Sequence, residues 1–421
     1  MAKLSLSLGC YFFANPSDFC PDGSLDFQIK GCQPIATRKS REEKEMKATA
    51  STSLGIWAFS ALAVSAGGWE TGKLDTSFMY NEGNYAELSY GNLNYSVSGT
   101  TQAGVSHDMA KDQTRMNLSG KFQVGSFDIG LTSFSSGAIQ MDGQGANVTG
   151  CDITSTDPLV AGRCSVVPSA DVKMDTKAVL ARYKINENFS VLGGLRQVSV
   201  KDSSVTTVAA TYNLDATSKT GRVYGLAYER PEIALRLEII RSDAMSFGLS
   251  GTAAGGLSLT GSDMVVPEAT TINFQTGIAE GTLLMASAHR VSWASSQINV
   301  DVPIPTGVPI PAGGLDIDSA FTDTTSYSLG IGRALSDATA VSVSYSWEAG
   351  SGATSTDAFT MSNGSKTLSL GVRHTIEDMT LSGGVSYTQV GDVSVTHPTT
   401  LTANYENNSV MSFGVKVGYS F

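Results

Sequence analysis

The stretch Val410–Phe421 alternates so strictly that its two faces can be read directly. Met411, Phe413, Val415, Val417, Tyr419 and Phe421 fall on one side, and Ser412, Gly414, Lys416, Gly418 and Ser420 on the other. Successive side chains on a strand point to opposite faces, so this segment has one greasy face backed by one of small and polar residues. In a soluble sheet the greasy face packs on a core. In a membrane barrel it meets lipid, and the polar face lines a lumen. A single strand leaves both readings open, and the rest of the chain must separate them.

Composition narrows the choice. Only 16% of the 421 residues are charged, 44 are glycine, and the mean hydropathy is −0.01. A helical membrane protein needs apolar runs of about 18 residues or more, and none is present. The amino terminus reads as an export signal. Met46-Lys47 opens a short positive region, Ser53–Val64 is mostly apolar, and Val64-Ser65-Ala66 has the small-residue pattern of a cleavage site. Residues 46–66 are therefore expected to be a signal peptide, and residues 1–45 an upstream extension from a misassigned start. Removing residues 1–66 takes away seven basic and six acidic residues, so the remaining chain stays strongly acidic, and nucleic acid is not an expected partner. Cys151 and Cys164 are the two cysteines left; in an exported protein such a pair is expected to form a disulfide closing a small loop.

Walking along residues 67–421, fourteen amphipathic segments appear, beginning at Tyr85–Tyr95 and closing at Ser409–Phe421. Tight turns follow the second, fourth, sixth, eighth, tenth and twelfth segments, as at Gly125, Arg230-Pro231 and Glu377-Asp378. Longer connections near 96–113, 140–173, 202–219, 243–268, 295–323, 349–364 and 391–408 fall at the other end. An even strand number with short turns at one end and long loops at the other is the asymmetry of a bacterial outer-membrane barrel. The expected fold is thus all-β: a transmembrane antiparallel β-barrel of about 14 strands over 85–421. Residues 67–84 form a short hatch segment inside it. The last strand, ending in Phe421, resembles the carboxy-terminal signal recognised by barrel-assembly machinery.

Particular segments resemble the FadL/TodX family of outer-membrane transporters of long-chain fatty acids and hydrocarbons. They are Gly67-Gly68-Trp69, Asn81–Gly91, Tyr95–Gly99, Val266–Gly277, Gly281–Leu284 and Val291-Ser292-Trp293. The resemblance implies a monomeric fourteen-stranded barrel with an amino-terminal hatch. It further implies capture of hydrophobic substrates by extracellular loops, transfer to a site in the barrel, and sideways exit near an inward kink in the third strand. One departure stands out. Only about eighteen residues separate Ala66 from the first strand, and the family's Asn-Pro-Ala hatch element is absent, so a short plug built from Trp69, Leu74, Phe78, Met79 and Tyr80 is expected.

The residues that could carry such a function follow from chemistry. Loop 243–268 holds Phe247, Leu249, Leu257 and Leu259 among small polar residues. They read equally as two strands projecting beyond the membrane or as an exposed hydrophobic landing patch. Val302–Pro311 is an apolar, proline-stiffened segment suited to covering the mouth. Ser135 and Gly137 suit a bulge or bend in the third strand, and with it a lateral opening. Inward-facing charge is expected from Arg115, Lys121, Arg182, Arg222, Arg236, Glu238, Arg373 and Lys416. These read chiefly as lumen ion pairs, with Arg236 a candidate for binding a carboxylate through its forked guanidinium.

No catalytic or metal site is expected. His107, His289, His374 and His397 are scattered, no Gly-x-Ser-x-Gly or His-Glu-x-x-His pattern occurs, and Asp316 with Asp318 falls short of a calcium ligand set. The expected protein is a cofactor-free, non-enzymatic monomer in the outer membrane. Its partners would be hydrophobic small molecules, outer-membrane lipids and lipopolysaccharide, and the assembly machinery. A general diffusion porin, or a barrel enzyme or adhesin acting through its loops, is the alternative.

Overall fold

Alternation of apolar with small polar residues dictates strands, and every segment read from the sequence folds as one. In the computed structural model the wall consists of β1 (Tyr85–Ser96), β2 (Gln113–Val124), β3 (Phe127–Asp142), β4 (Ser169–Lys184), β5 (Phe189–Val200), β6 (Thr217–Arg230) and β7 (Leu235–Ser242). It continues with β8 (Ala269–Ala279), β9 (Thr282–Val291), β10 (Thr324–Ala334), β11 (Thr339–Glu348), β12 (Ser365–Ile376), β13 (Met379–Val390) and β14 (Ser409–Ser420). The structure describes residues 68–421 apart from 71, 102–103, 106–107, 144–168, 207–210, 254–255, 260–261, 301–316, 351, 353, 356–358 and 397–401. The signal peptide, the upstream extension, Cys151, Cys164, His107, His397, Asp316 and Val302–Pro311 lie outside the described residues.

Each strand pairs antiparallel with the next, and β14 returns to β1 with Tyr85 opposite Ser420 and Ser96 opposite Ser409. Closure leaves no sheet edge, which is what a strand-built membrane span requires. Outward side chains are apolar and exposed over most of the wall, among them Leu88, Phe122, Leu131, Leu226, Leu329, Leu370 and Val415. Aromatic pairs mark the short-turn end: Phe122–Phe421 at 6.2 Å, Phe127–Tyr183 at 4.8 Å and Phe189–Tyr228 at 4.9 Å between ring centres. A greasy belt with an aromatic girdle on an even-stranded closed barrel is the architecture of bacterial outer-membrane proteins.

The tight turns sit where the sequence places them, and local backbone explains several. Gly125, in the β2–β3 turn, has φ +61°, a conformation glycine adopts at no steric cost. The β6–β7 connection tightens into a single turn of 3-10 helix, Pro231–Ile233, closed by Ala234 at φ +51°. At the opposite end the long connections are not loose. Met245–Gly248, Asp263–Val266, Ile298–Val300 and Ile317–Asp318 form a small sheet of their own. Ser203–Thr206 pairs with the start of β4, extending the wall beyond the membrane.

Among the described residues three hydrophobic clusters are buried, the smallest being Ala234, Leu283, Met285 and Ala340. A large one lies among the long connections and includes Tyr95, Met141, Phe247, Trp293, Phe321 and Tyr405. A smaller one lies nearer the short turns around Phe78, Met79, Leu180, Leu192 and Ile240. One expectation fails. Arg222 shares its face with exposed Tyr224 and Leu226 and points outward, paired with Asp243 at 2.8 Å. The run Thr217–Arg222 on β6 is mostly polar on both faces, so alternation alone does not tell inside from outside there.

If β14 faces lipid as described, Val415→Arg places a cation near the middle of the belt. Urea-dependent folding into lipid vesicles should show a loss of about 2–4 kcal/mol; no measurable loss would remove β14 from the lipid face.

Candidate functional site

The site is built where the wall departs from regularity. The β2–β3 ladder rises from Val124 opposite Phe127 to Asn117 opposite Phe134 and stops there, although β2 continues to Gln113 and β3 to Asp142. Above that point β3 takes the amino-terminal segment as its neighbour. Ala138 N–H donates to the Trp69 carbonyl at 3.0 Å, Gly72 N–H donates to the Ser136 carbonyl at 3.3 Å, and Glu70 stands opposite Gly137. Higher still the wall is rejoined: Lys111 N–H reaches the Gln140 carbonyl at 3.1 Å and Asp142 N–H the Met109 carbonyl at 2.8 Å. A stretch of Gln113–Met116 is thereby left without β3 as partner.

The same residues carry a bulge, with the β3–β4 register shifting between Ser135 and Gly137. Alternation disappears there, because Ser136, Gly137, Ala138 and Ile139 are all buried. A strand covered on both faces has left the outer wall and bent inward. Gly137 permits this: a Cβ on it would lie 2.5 Å from the Trp69 ring.

Below the break, the hatch is locked by polar contacts on the lumen side. Glu238 on β7 accepts Thr76 Oγ1 at 2.8–2.9 Å, the Tyr80 hydroxyl at 2.6 Å and Asn273 Nδ2 at 2.8 Å. The Arg182 and Arg236 guanidinium carbons each lie 4.2 Å from the centre of the Tyr80 ring, a favourable cation–π arrangement. Asp128, fully buried, draws Lys121 at 3.4 Å, Arg182 at 3.3 Å and Lys184 at 3.3 Å, while Lys121 also donates to the Asn81 carbonyl. Phe78 and Met79, both 0% exposed, fill the space against Gly130. Burying each contributes about 1.5–3 kcal/mol relative to water. Nearby, Lys416 pairs with Glu87 at 2.9 Å, tying β14 to β1 across the closure.

Above the hatch lies a chamber lined by Trp69, Phe134, Arg196, Val198, Ile240 and Trp293. Trp69 packs edge-on against Trp293 at 5.1 Å. Glu70 meets His289 Nε2 at 2.8 Å, and His289 Nδ1 is 2.8 Å from Thr271 Oγ1, so the amino-terminal segment is pinned to β8 and β9 as well as to β3. Arg196, 9% exposed, donates through Nη2 to the Asp243 carbonyl at 2.9 Å. Its Nε and the Trp69 indole Nε1 have no hydrogen-bond partner among the described residues. Two buried donors facing one apolar chamber are poised for an oxygen-bearing ligand or water. Free space there is about 30 Å³, room for a water rather than a hydrocarbon.

Of the residues singled out from sequence, Trp69, Ser135 and Gly137 converge here, and Phe78 and Met79 form the plug beneath. Arg236 belongs to the hatch lock, stacked on Tyr80 rather than open to a ligand. The exposed landing patch is corrected: Phe247 is 2% exposed, and Leu249 and Leu259 are buried in the upper cluster with Leu257 packed against it. Projection beyond the membrane, the other reading of that loop, is what Met245–Gly248 and Asp263–Val266 do. Their apolar face turns inward because the remaining long connections cover it. Arg196, Glu70 and His289 were missed. Arg196 had a usable signal, since it stands out of phase with outward Val191 and Leu195.

No family model and no curated protein matches the chain. Solved structures do. The crystal structure of a Pseudomonas aeruginosa FadL homologue aligns at TM-score 0.63 and 11% identity, covering 82% of this chain and 92% of that one. The Pseudomonas putida toluene transporter TodX aligns at 0.56 and 12%, covering 87% and 95%. The Ralstonia pickettii toluene transporter TbuX aligns at 0.54 and 13%, covering 88% and 99%. The chain has the fold of these outer-membrane barrels.

Removing the shared acceptor should free the hatch. Glu238→Ala leaves the Thr76 and Tyr80 hydroxyls without their acceptor, a cost of about 1–3 kcal/mol for each buried group left unsatisfied. Ion current through single barrels in planar bilayers should rise above that of the unaltered protein; identical currents would mean the lumen is closed elsewhere.

Proposed function

We propose that this protein takes up hydrophobic compounds passively across the outer membrane, through the chamber behind the β2–β3 break. Cargo enters from the long-loop end, occupies the space beside Trp69 and Trp293, and leaves sideways into the bilayer between β2 and β3. The observation that carries this reading is the substitution of the amino-terminal segment for β2 along Ser136–Ala138. It opens the wall at membrane depth without orphaning the backbone of β3, which lipid would penalise by several kcal/mol per group.

The chamber as described is closed. Its 30 Å³ falls well short of the roughly 150 Å³ cavity that holds benzene, so cargo must displace the segment 68–74. Among the described contacts, that segment is held by two backbone bonds to β3, the Glu70–His289 pair and the packing of Trp69 on Trp293. Arg196 Nε and Trp69 Nε1 would meet any carboxylate or hydroxyl head, the role that sequence reasoning placed on Arg236. The solved structures named above include two toluene transporters and a FadL homologue, which supports apolar cargo. A diffusion porin fits less well, because plug and chamber fill the lumen at two levels. The protein is proposed to act as a monomer, without cofactor or enzymatic step. Lipopolysaccharide would surround its outer half, and the Phe421 strand would present it to the assembly machinery.

Ser135→Trp fills the break from the wall side, and Gly137→Leu drives a side chain into the Trp69 ring. In a strain lacking its own uptake systems, each should slow entry of labelled fatty acid or toluene about tenfold, the equivalent of roughly 1.4 kcal/mol of added barrier. Unchanged uptake at normal surface abundance would remove the lateral route.

A further inference from the structure

The outer wall beside the break carries a cation, Lys177, for which no carboxylate partner occurs among the described residues. On β4 the outward side chains run Tyr183, Ala181, Val179, Lys177, the first three apolar or aromatic and Lys177 exposed among them. Six residues above the Tyr183 girdle, at about 2.5 Å of height per residue in a tilted strand, place Lys177 roughly 15 Å up an apolar band about 25 Å tall. A lysine at that depth is costly unless it snorkels or finds a counter-charge. The other outward cations toward the long-loop end of β4, β6 and β7 have carboxylates: Lys173 has Asp171 at 3.1 Å, Arg222 has Asp243 at 2.8 Å, and Arg241 has Glu268 at 2.6 Å. Lys177 has no partner among the described residues.

Its surroundings are organised. Lys177 stands in register with Ser133 on β3 and Gln197 on β5, and Gln197 with Thr220 on β6, a polar row across four strands. Directly below lie exposed Leu131, Val179 and Leu195. Together they line a concavity of about 600 Å³ on the outer face, which also reaches Leu118 on β2, paired with Ser133 just below the break. Ser133 is one residue below Phe134, where the β2–β3 ladder ends. Anything leaving through the break meets an apolar floor with an uncompensated ammonium at its upper rim.

We propose that this concavity is a receiving site for a single-chain anionic amphiphile, its carboxylate on Lys177 and its acyl chain along Leu131, Val179 and Leu195. The inference rests on lateral exit and deepens it: it makes a long-chain carboxylate, rather than a neutral hydrocarbon, the favoured cargo. Charge complementarity selects a carboxylate, and nearness to the end of the β2–β3 ladder selects one arriving through the break. Arg222, six residues above the Tyr228 girdle and so at a similar height, already carries Asp243, whereas Lys177 has no carboxylate partner among the described residues.

The test compares two probes of equal chain length, palmitate and 1-hexadecanol, in cells lacking their own uptake systems and expressing the full protein. Lys177→Gln should lower the acid-to-alcohol ratio of uptake rates about tenfold, the value of one charge-assisted contact, and Lys177→Arg should restore it. An unchanged ratio in Lys177→Gln overturns the proposal, whether the two rates hold or fall together. A diazirine-bearing palmitate should label β3–β5 peptides of the membrane-embedded protein, less so in Lys177→Gln. Labelling of those peptides by a photoactive lipid A that palmitate cannot displace also overturns it. If the unaltered protein admits neither probe, the uptake reading fails and this site with it; uptake with an unchanged ratio sinks the role of Lys177 alone.

Discussion

Every backbone N–H and C=O at membrane depth must be hydrogen-bonded within the protein, because lipid supplies no partner. The molecule follows from that constraint. Antiparallel ladders, closed by β14 on β1, meet it over most of the wall. At the β2–β3 ladder it is met by another means: the carbonyl of Trp69 and the N–H of Gly72 take over bonds that β2 would have made. A chain segment that is neither wall nor loop thus becomes part of the wall. The bulge at Ser136, the loss of alternation over Ser136–Ile139 and the need for glycine at 137 all follow from accommodating it.

The lumen carries charge for a related reason. A fourteen-stranded barrel encloses more space than its own inward side chains fill, and the hatch that occupies it is a short polar segment with only a few large apolar residues. Phe78 and Met79 anchor it by burial, but orientation comes from Glu238 receiving three donors and from Arg182 and Arg236 against Tyr80. Asp128 holds three cations on the inner wall in place. Such clusters add less net stability than their Coulomb attraction implies, since desolvation offsets much of it. Their directional bonds do fix where the hatch sits. Above it, the segment around Trp69 is tied by the Glu70–His289 pair, ladder bonds to β3 and ring packing on Trp293, and two buried donors there lack a partner among the described residues.

On the outer face, over most of the circumference, the belt is apolar from girdle to girdle. On β3–β6, beside the break, it gives way to Ser133, Lys177, Gln197 and Thr220 well before the long-loop end. The wall is least lipid-like where it is least continuous.

Strand positions, turn positions, strand number and the lipid-facing side of β14 were all legible in the amino-acid order. Each depends on short-range periodicity and on a solvent, lipid, that reads one face of one strand at a time. Where both faces of a strand are polar, as along Thr217–Arg222, that signal vanishes and the side of Arg222 was misread. The candidate site was legible only in pieces. Trp69, Ser135 and Gly137 stood out singly, but nothing local showed that Trp69 would seat on Gly137, or that Arg196, Glu70 and His289 would meet from β5, the hatch and β9. The apolar residues of loop 243–268 were visible, whereas their burial depends on what the other connections cover. Sequence by itself determined a closed barrel and its orientation in a membrane, because those are set by periodicity along single strands. Tertiary structure alone decided where the β2–β3 ladder breaks and what faces the break, because those depend on which distant segment supplies the hydrogen bonds that β2 leaves unmade.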